Sequence, residues 1–291
     1  MHAGALRRAL PMPIKRWLKW LLGWVYAWRR RVGTLTSPRR RGSGASAAHP
    51  HATASAVSES LPAGALDCLL AANVHGLYCV PRSSSHRPVS QAIVAADVWE
   101  EDTLELLRAA DPHGDIVHAG TFFGDFVPAL ARSRGEGSKV WAFEPQPENY
   151  RATQITILLN DLSNVVLTNA GLGAERARAL LATTDRKGTP LGGGSRVIRD
   201  RARAHWWANE RVELLTLDEV LGDERRVAAI HLDVEGHEQE ALKGAIGTIE
   251  RCRPLIVLET MPEAGWLERT LLPLGYRACG SVNLNHVLRC E

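Results

Sequence analysis

An α/β fold, with a mostly parallel sheet covered by helices on both faces, is predicted by three observations. From Asp115 onward, short apolar runs alternate with helix-length stretches, the pattern of strands joined by crossover helices. Two glycines, Gly120 and Gly124, follow the first of these runs. A later apolar run, residues 227–232, ends abruptly in Asp233-Val234-Glu235-Gly236-His237-Glu238.

In chain order, residues 77–80 read as a short strand, 83–88 as a loop, and 103–108 as a helix that Asp102 would cap. Residues 115–120 form the first strand of the regular alternation and 121–124 its loop, followed by a helix over 125–130. A second strand spans 139–145. The second helix spans 147–160, with Pro147 suited to its first turn. Residues 165–170 make the third strand, and the stretch to Val212 is less regular. Then come a strand at 227–233, one helix over 238–251, a strand at 255–259 and a helix at 262–274. The last stretch is expected to close as a hairpin.

Ahead of this body lies a segment of different character. Residues 1–58 carry eleven Lys and Arg and no acidic side chain, while the other 24 basic side chains stand against all 32 acidic ones. A basic arm therefore precedes an acidic body, and the body's net charge argues against extended nucleic-acid binding. Trp17, Trp20, Trp24 and Trp28 share one helical face with Ile14 and Leu21, and Lys15, Arg16 and Lys19 fall largely opposite. The nine uncharged residues between Lys19 and Arg29 are about half of the roughly 20 needed to span a bilayer. Residues 14–31 are read as a helix for an anionic membrane surface, with packing of that face on the body as the alternative. Residues 36–62, poor in large apolar groups, read as a disordered linker to a domain over 63–291. The five cysteines show no zinc spacing, so no metal ligand is assigned, and free thiols in a cytoplasmic setting are expected.

The chemistry gathers where strands end, because open parallel sheets bind ligands beyond the carboxyl ends of their strands. Glycines at 120 and 124 allow a tight turn close to a ligand. Glu144 ends the second strand, where a carboxylate can accept hydrogen bonds from both hydroxyls of a ribose. Together they point to a nucleoside-bearing cofactor. The loop lacks G-x-G-x-x-G spacing, which disfavours a nicotinamide cofactor. Asp233, Glu235 and His237 are candidates for a general base, since clustered carboxylates beside an imidazole perturb one another. A carboxylate pair here could instead hold a divalent cation. The bland alternative is that Asp233 caps the turn and Glu238 merely starts a helix.

These residues resemble the FkbM-type methyltransferases. The matches are residues 120–125, then Ala142-Phe143-Glu144-Pro145 with Pro147-Glu148-Asn149-Tyr150, then Asn169-Ala170-Gly171-Leu172-Gly173. Residues 230–238 fit I-x-[IL]-D-V-E-G-x-E, followed by Leu242-Lys243-Gly244-Ala245 and Arg253-Pro254, so the resemblance runs over 97–290. It implies a Rossmann-like class I methyltransferase fold and S-adenosyl-L-methionine as cofactor. It further implies O-methylation of a hydroxyl on a glycan or small metabolite. By that resemblance Gly120 and Gly124, with Thr121 and Asp125 in the same turn, would hold the methionine end. Glu144 would hold the ribose, and Ala170 and Gly171 would border the adenine. Asp233 and Glu235 would face the methyl-transfer zone. The first motif departs from the family, with His118 for Asp, Thr121 for Ala and Phe122 for Asn. His118 is read as a satisfied strand-end histidine rather than a ligand contact. A non-catalytic cofactor-binding relic and a nicotinamide oxidoreductase remain the competing readings.

Overall fold

A computed structural model describes residues 66–198 and 209–291. The basic arm, the linker, and Trp206 and Trp207 lie outside the described residues. The body opens with an antiparallel hairpin, β1 (Cys68–Asn73) and β2 (Gly76–Pro81), then α1 (Pro88–Val94) and α2 (Glu101–Arg108). Of these, β2 and α2 were legible in the pattern. The residue capping α2 is Glu100, in a left-handed conformation, and Asp102 sits in the first turn.

The central sheet is built from β3 (Asp115–Ala119), β4 (Val140–Phe143), β5 (Val165–Thr168), β10 (Val227–Leu232), β11 (Leu255–Leu258), β12 (Tyr276–Val282) and β13 (Asn285–Cys290). Its order is β12-β13-β11-β10-β3-β4-β5. The five strands from β11 to β5 run parallel, and β13 pairs antiparallel with both β11 and β12. This is the doubly wound fold with the expected C-terminal hairpin. The chain fills β3, β4 and β5 outward on one side, then returns to place β10 against the other side of β3. The strand order thus reverses between β3 and β10, where such sheets open a crevice.

Alternation along each strand builds a core on either face. Ile116 and Ala229 pack with Leu104 and Leu107 of α2 and Leu130 of α3 (Val127–Arg132). Val117, Ile230 and Leu232 point the other way, onto Leu217 of α5 (Leu217–Leu221), Leu242 of α6 (Glu238–Lys243) and Ile249 of α7 (Ile246–Cys252). The hairpin packs through Tyr78 on Phe123 and on Ala152 of α4 (Pro147–Leu159). In α4 the Gln146 side chain caps the Asn149 N–H at 2.6 Å and Pro147 opens the first turn.

Three expectations are corrected. The single helix over 238–251 is two, α6 and α7, broken at Gly244. A Cβ there would lie 2.0 Å from the Gly173 carbonyl, so backbone crowding, not propensity, sets the break. The irregular stretch contains a second sheet of β6 (Gly171–Leu172), β7 (Ala177–Ala182), β8 (Arg196–Val197) and β9 (Asn209–Leu215), ordered β6-β9-β7-β8. Two of these strands are only two residues long, too short for periodicity to reveal. The helix at 262–274 is shorter, as α8 (Ala264–Thr270) and a separate 3₁₀ turn at Leu272–Leu274.

At the opposite end of β3 from the crevice, buried Asp115 ties the sheet together. Its carboxylate accepts the Lys139 N–H (2.8 Å), the Trp141 indole N–H (2.7 Å) and a two-pronged bond from Arg225 (2.6 and 2.7 Å). Asp115→Ala leaves two interior N–H donors without an acceptor, each costing about 1–3 kcal/mol. Urea unfolding should show a loss of about 2–4 kcal/mol. Arg225→Ala should cost less, because Arg225 is partly exposed and Asp115 keeps its other two donors. Equal losses would show that the guanidinium, not the buried donors, dominates.

Candidate active site

The crevice is set by one close contact. The Asp233 N–H donates to the Ala119 carbonyl at 3.0 Å, and a Cβ on Gly120 would lie 1.7 Å from the Asp233 carbonyl oxygen. Only glycine fits there, and its φ of +83° lies in the left-handed region. The turn continues through Phe122, a non-glycine residue at φ +51°, an arrangement that persists only where surroundings enforce it. Here the enforcement is Glu144. Its carboxylate accepts the Phe122 N–H (2.8 Å) on one oxygen and the Gln146 N–H (2.9 Å) on the other. Glu144 thus locks the glycine turn to the start of α4. It is 4% exposed, and burial pushes its carboxyl up to about 8 against the opposing pull of those two N–H groups.

Gly124, also left-handed at φ +83°, lines neither cavity described below. A Cβ there would press on Thr153 and Thr156 of α4 at 3.1 and 3.4 Å, so this glycine serves packing between the turn and the helix. The two threonine hydroxyls donate to the Phe122 and Phe123 carbonyls (2.7 and 2.9 Å).

Two cavities meet at Gly120, Gly193 and Asp233. The narrower, about 30 Å³, is walled by Glu144, Pro145, Gly171, Leu172 and His237. The wider, about 200 Å³, is walled by Asp125, His118, His231, Glu235 and Glu259, with Arg87, Trp99 and Glu100. Gly193 closes over both, so the glycine run at 192–194 is a site wall. Of the sequence-derived cofactor residues, Gly120, Glu144, Gly171 and Asp125 line a cavity. Thr121 and Ala170 are fully buried beside them without forming wall.

The three candidate bases separate. Asp233 borders both cavities, Glu235 faces the wider one and His237 the narrower. Glu238, buried, accepts the Val234 and Gly236 N–H groups (3.2 and 3.3 Å). It shapes the turn, in the role Asp233 would have had as a cap. That turn leaves Glu235 at φ +53° and aims it toward Glu259, which follows β11. Asp233, Glu235 and Glu259 each offer an oxygen within 4.8 Å of the others, the one such set of potential cation ligands among the described residues. Burial, then the charges of Glu259 and Glu235, hold the Asp233 carboxyl well above its ordinary range. Burial and Glu259 raise Glu235 to about 7, opposed by Arg87 and Arg196. Burial likewise raises Asp125 to about 7. Three crowded carboxyls cannot all ionise without a compensating charge.

Glu259 was missed by sequence reasoning. Its signal was available, an acidic residue directly after a buried apolar strand, as with Glu144 and Asp233. His118 is corrected too. It lies directly across from His231 in the β3–β10 register, and their Nδ1 atoms are 2.9 Å apart. The His118 Nε2 is buried with no hydrogen-bond partner, so His118 is not fully satisfied.

Comparison with known proteins bears on this geometry. The family model for the methyltransferase FkbM domain matches residues 118–278, a span holding the glycine turn, Glu144, the Asp233 turn and Glu259. No curated protein matches. Among solved structures, the FkbM methyltransferase of Methylobacillus flagellatus KT is 17% identical, with a TM-score of 0.41 over 62% of this chain and 44% of that one. This chain therefore spans less than half of that protein's length. TYW2 of M. jannaschii, solved in complex with AdoMet, is 12% identical over 77% of this chain and 84% of that one, with a TM-score of 0.40. A SAM-dependent methyltransferase from Aquifex aeolicus is 14% identical over 66% and 89%, at 0.37. The domain match alone covers more than half of the sequence, and with the class I sheet order around it, this chain belongs to the FkbM methyltransferase family.

Proposed function

We propose that this chain is an S-adenosyl-L-methionine-dependent methyltransferase acting on a hydroxyl of a glycan or small metabolite. The observation that carries the reading is the pair of cavities meeting at Gly120, with the fixed Glu144 carboxyl group in one and three clustered carboxyls in the other. The residues fit the cofactor. Gly120 leaves open the space a side chain would fill, and Glu144 has lone pairs left for ribose hydroxyls beyond those given to Phe122 and Gln146. Pro145, Gly171 and Leu172 form an apolar wall suited to a flat base. The wall at Gly193, Ser195 and Val197 must draw back for a nucleoside to enter so narrow a space. When bound, S-adenosylmethionine supplies an electrophilic methyl group on a sulfonium.

On the other side, Asp233, Glu235 and Glu259 surround the place where an acceptor hydroxyl would meet that methyl. Glu235, balanced near neutrality, is suited to take the hydroxyl proton as the new bond forms. Asp233, at the junction, orients the acceptor through its own carboxyl. A second reading has the same three carboxylates hold a divalent cation that acidifies the hydroxyl; their 4.8 Å spacing favours it.

Calorimetry with S-adenosylhomocysteine and NAD tests the cofactor class directly. S-adenosylhomocysteine should bind and NAD should not, and the reverse would favour an oxidoreductase. Glu144→Ala should weaken S-adenosylhomocysteine about tenfold or more through the lost hydrogen bonds to the ribose hydroxyls. Unchanged affinity would remove Glu144 from the ribose site.

Turnover should rise as pH increases through about 7, where Glu235 ionises, and Glu235→Gln should abolish that limb. Asp233→Asn should lower turnover more than cofactor affinity. Wild-type rates in both variants would make the turn structural. Activity lost to a chelator and restored by magnesium would assign the cluster to a cation.

We also propose that residues 14–31 bind an anionic membrane surface, supported by the shared face of Trp17, Trp20, Trp24 and Trp28 and the adjoining cations. No helix of the described residues is long and apolar enough to cross a membrane. The full chain should pellet with anionic vesicles at low salt and less at high salt, and a chain lacking residues 1–60 should not. Failure of the full chain to pellet overturns this.

A further inference from the structure

Gly194 is a glycine for reasons of space rather than of backbone conformation. Its neighbour Gly192 sits in the left-handed region at φ +56°, and Gly194 does not. A Cβ on buried Gly194 would lie 2.9 Å from Arg87 Nη2 and 3.4 Å from Glu235 Oε1. A guanidinium and a carboxyl thus converge on one spot in the wall of the wider cavity, which both residues line. Gly192 likewise makes room for Ser84, whose Cβ lies 2.7 Å from the position of a side chain there. The missing side chains of this run let residues 84–87 seat against it.

The backbone holds Arg87 in place. Its N–H donates to the Ser84 carbonyl and its own carbonyl accepts the Gln91 N–H, both at 3.0 Å. Pro88 confines it to an extended conformation, observed at φ −73° and ψ 143°. The side chain is held by no such bond. It is half-buried, yet among the described residues its guanidinium has no hydrogen-bond or ion-pair partner, Glu235 included. A guanidinium presents five N–H donors in a planar fork, and here the whole fork is left for a ligand. Six residues of this cavity's wall, Arg87, Pro88, Val89, Trp99, Glu100 and Leu284, lie outside the span 118–278 that matches the FkbM domain. Asp233, Glu235 and Glu259 lie within it. The reacting carboxyls therefore come from the shared domain, and much of the wall facing an acceptor comes from the rest of the chain.

We propose that Arg87 sets acceptor specificity by binding an anionic group, a phosphate or a carboxylate, that the acceptor carries beside the hydroxyl to be methylated. The inference rests on the reaction proposed above and narrows its acceptor to an acidic or phosphorylated sugar or metabolite. The planar fork matches either oxyanion through paired N–H bonds. Because Arg87 and Glu235 converge on Gly194, an acceptor anchored on the guanidinium brings its neighbouring hydroxyl to the carboxyl placed to take the proton. The other charges sharpen the choice. Glu100, Asp125, Asp233 and Glu259 line the same cavity and disfavour an anion everywhere except against Arg87. A neutral acceptor would leave the guanidinium unpaired, and an ammonium would be pushed from it toward the carboxyls.

The test is calorimetry on the full chain loaded with S-adenosylhomocysteine, using glucose, glucose 1-phosphate, glucuronate and glucosamine as probes. At least one of the two anions should bind about ten- to a hundredfold more tightly than glucose, as expected for hydrogen bonds between charged groups. Which anion gains more tells a phosphate from a carboxylate. Equal affinities for glucose and both anions, no binding of either anion, or tightest binding of glucosamine each overturn the inference. Arg87→Gln keeps N–H donors but removes the charge, and it should erase the preference; a preference that survives overturns the assignment to Arg87. The arginine ¹⁵Nε spectrum of the wild-type protein does not depend on the variant folding. The Arg87 resonance should move with the preferred anion and not with glucose, and an unmoved resonance overturns the inference. Loading is a separate readout. If S-adenosylhomocysteine does not bind, the cofactor reading fails and the inference with it, whereas loading without an anion preference removes the inference alone.

Discussion

The approach of Gly120 to the Asp233 carbonyl is the constraint from which the rest of the site follows. It exists because β3 and β10 are parallel neighbours at the reversal of strand order, so the chain leaves both strands at one point. With 1.7 Å between a notional Cβ and the Asp233 oxygen, no other residue allows the strands to end so close together. The left-handed turn that results brings the Phe122 N–H onto Glu144. The same closeness lets Asp233 border both cavities. A side chain at 120 would separate the fixed carboxylate from the crowded ones.

The crevice gathers carboxyls whose ionisation burial disfavours. Glu144, Asp233, Glu235 and Asp125 are all raised chiefly by burial, and none of the ion pairs among the described residues involves any of them. At the other end of β3, Asp115 shows the opposite arrangement, with every lone pair directed at a donor. One sheet thus has, at one end, a carboxylate with four donors that holds it together and, at the other, a group of carboxyls raised by burial.

The second, smaller sheet matters because of what it delivers. β7 and β8 carry Leu181 and Val197 to the narrow cavity, and the glycine run between them brings Gly193 over both. Gly192 and Gly193 pack directly on the Phe122 ring. Movement of this wall is therefore coupled by contact to the glycine turn beneath it.

The sequence by itself determined the alternation of strand and helix, the closing hairpin and the carboxylates at strand ends. Apolar spacing encodes which face is buried, and a charged residue after a buried run marks where a strand meets solvent or a ligand. That logic found Glu144 and Asp233 and applied equally to Glu259. Tertiary structure decided what depends on register and close approach. His118 and His231 lie 113 positions apart and become partners only because β10 pairs with β3 in one register. Gly124 reads in the sequence as a turn glycine, and only the fold shows that α4 packs against it. Helix propensity carried residues 238–251 through as one helix, whereas the Gly173 carbonyl against Gly244 breaks it in two. Local pattern records how each segment would bury itself, and only the assembled sheet fixes which distant atoms then meet.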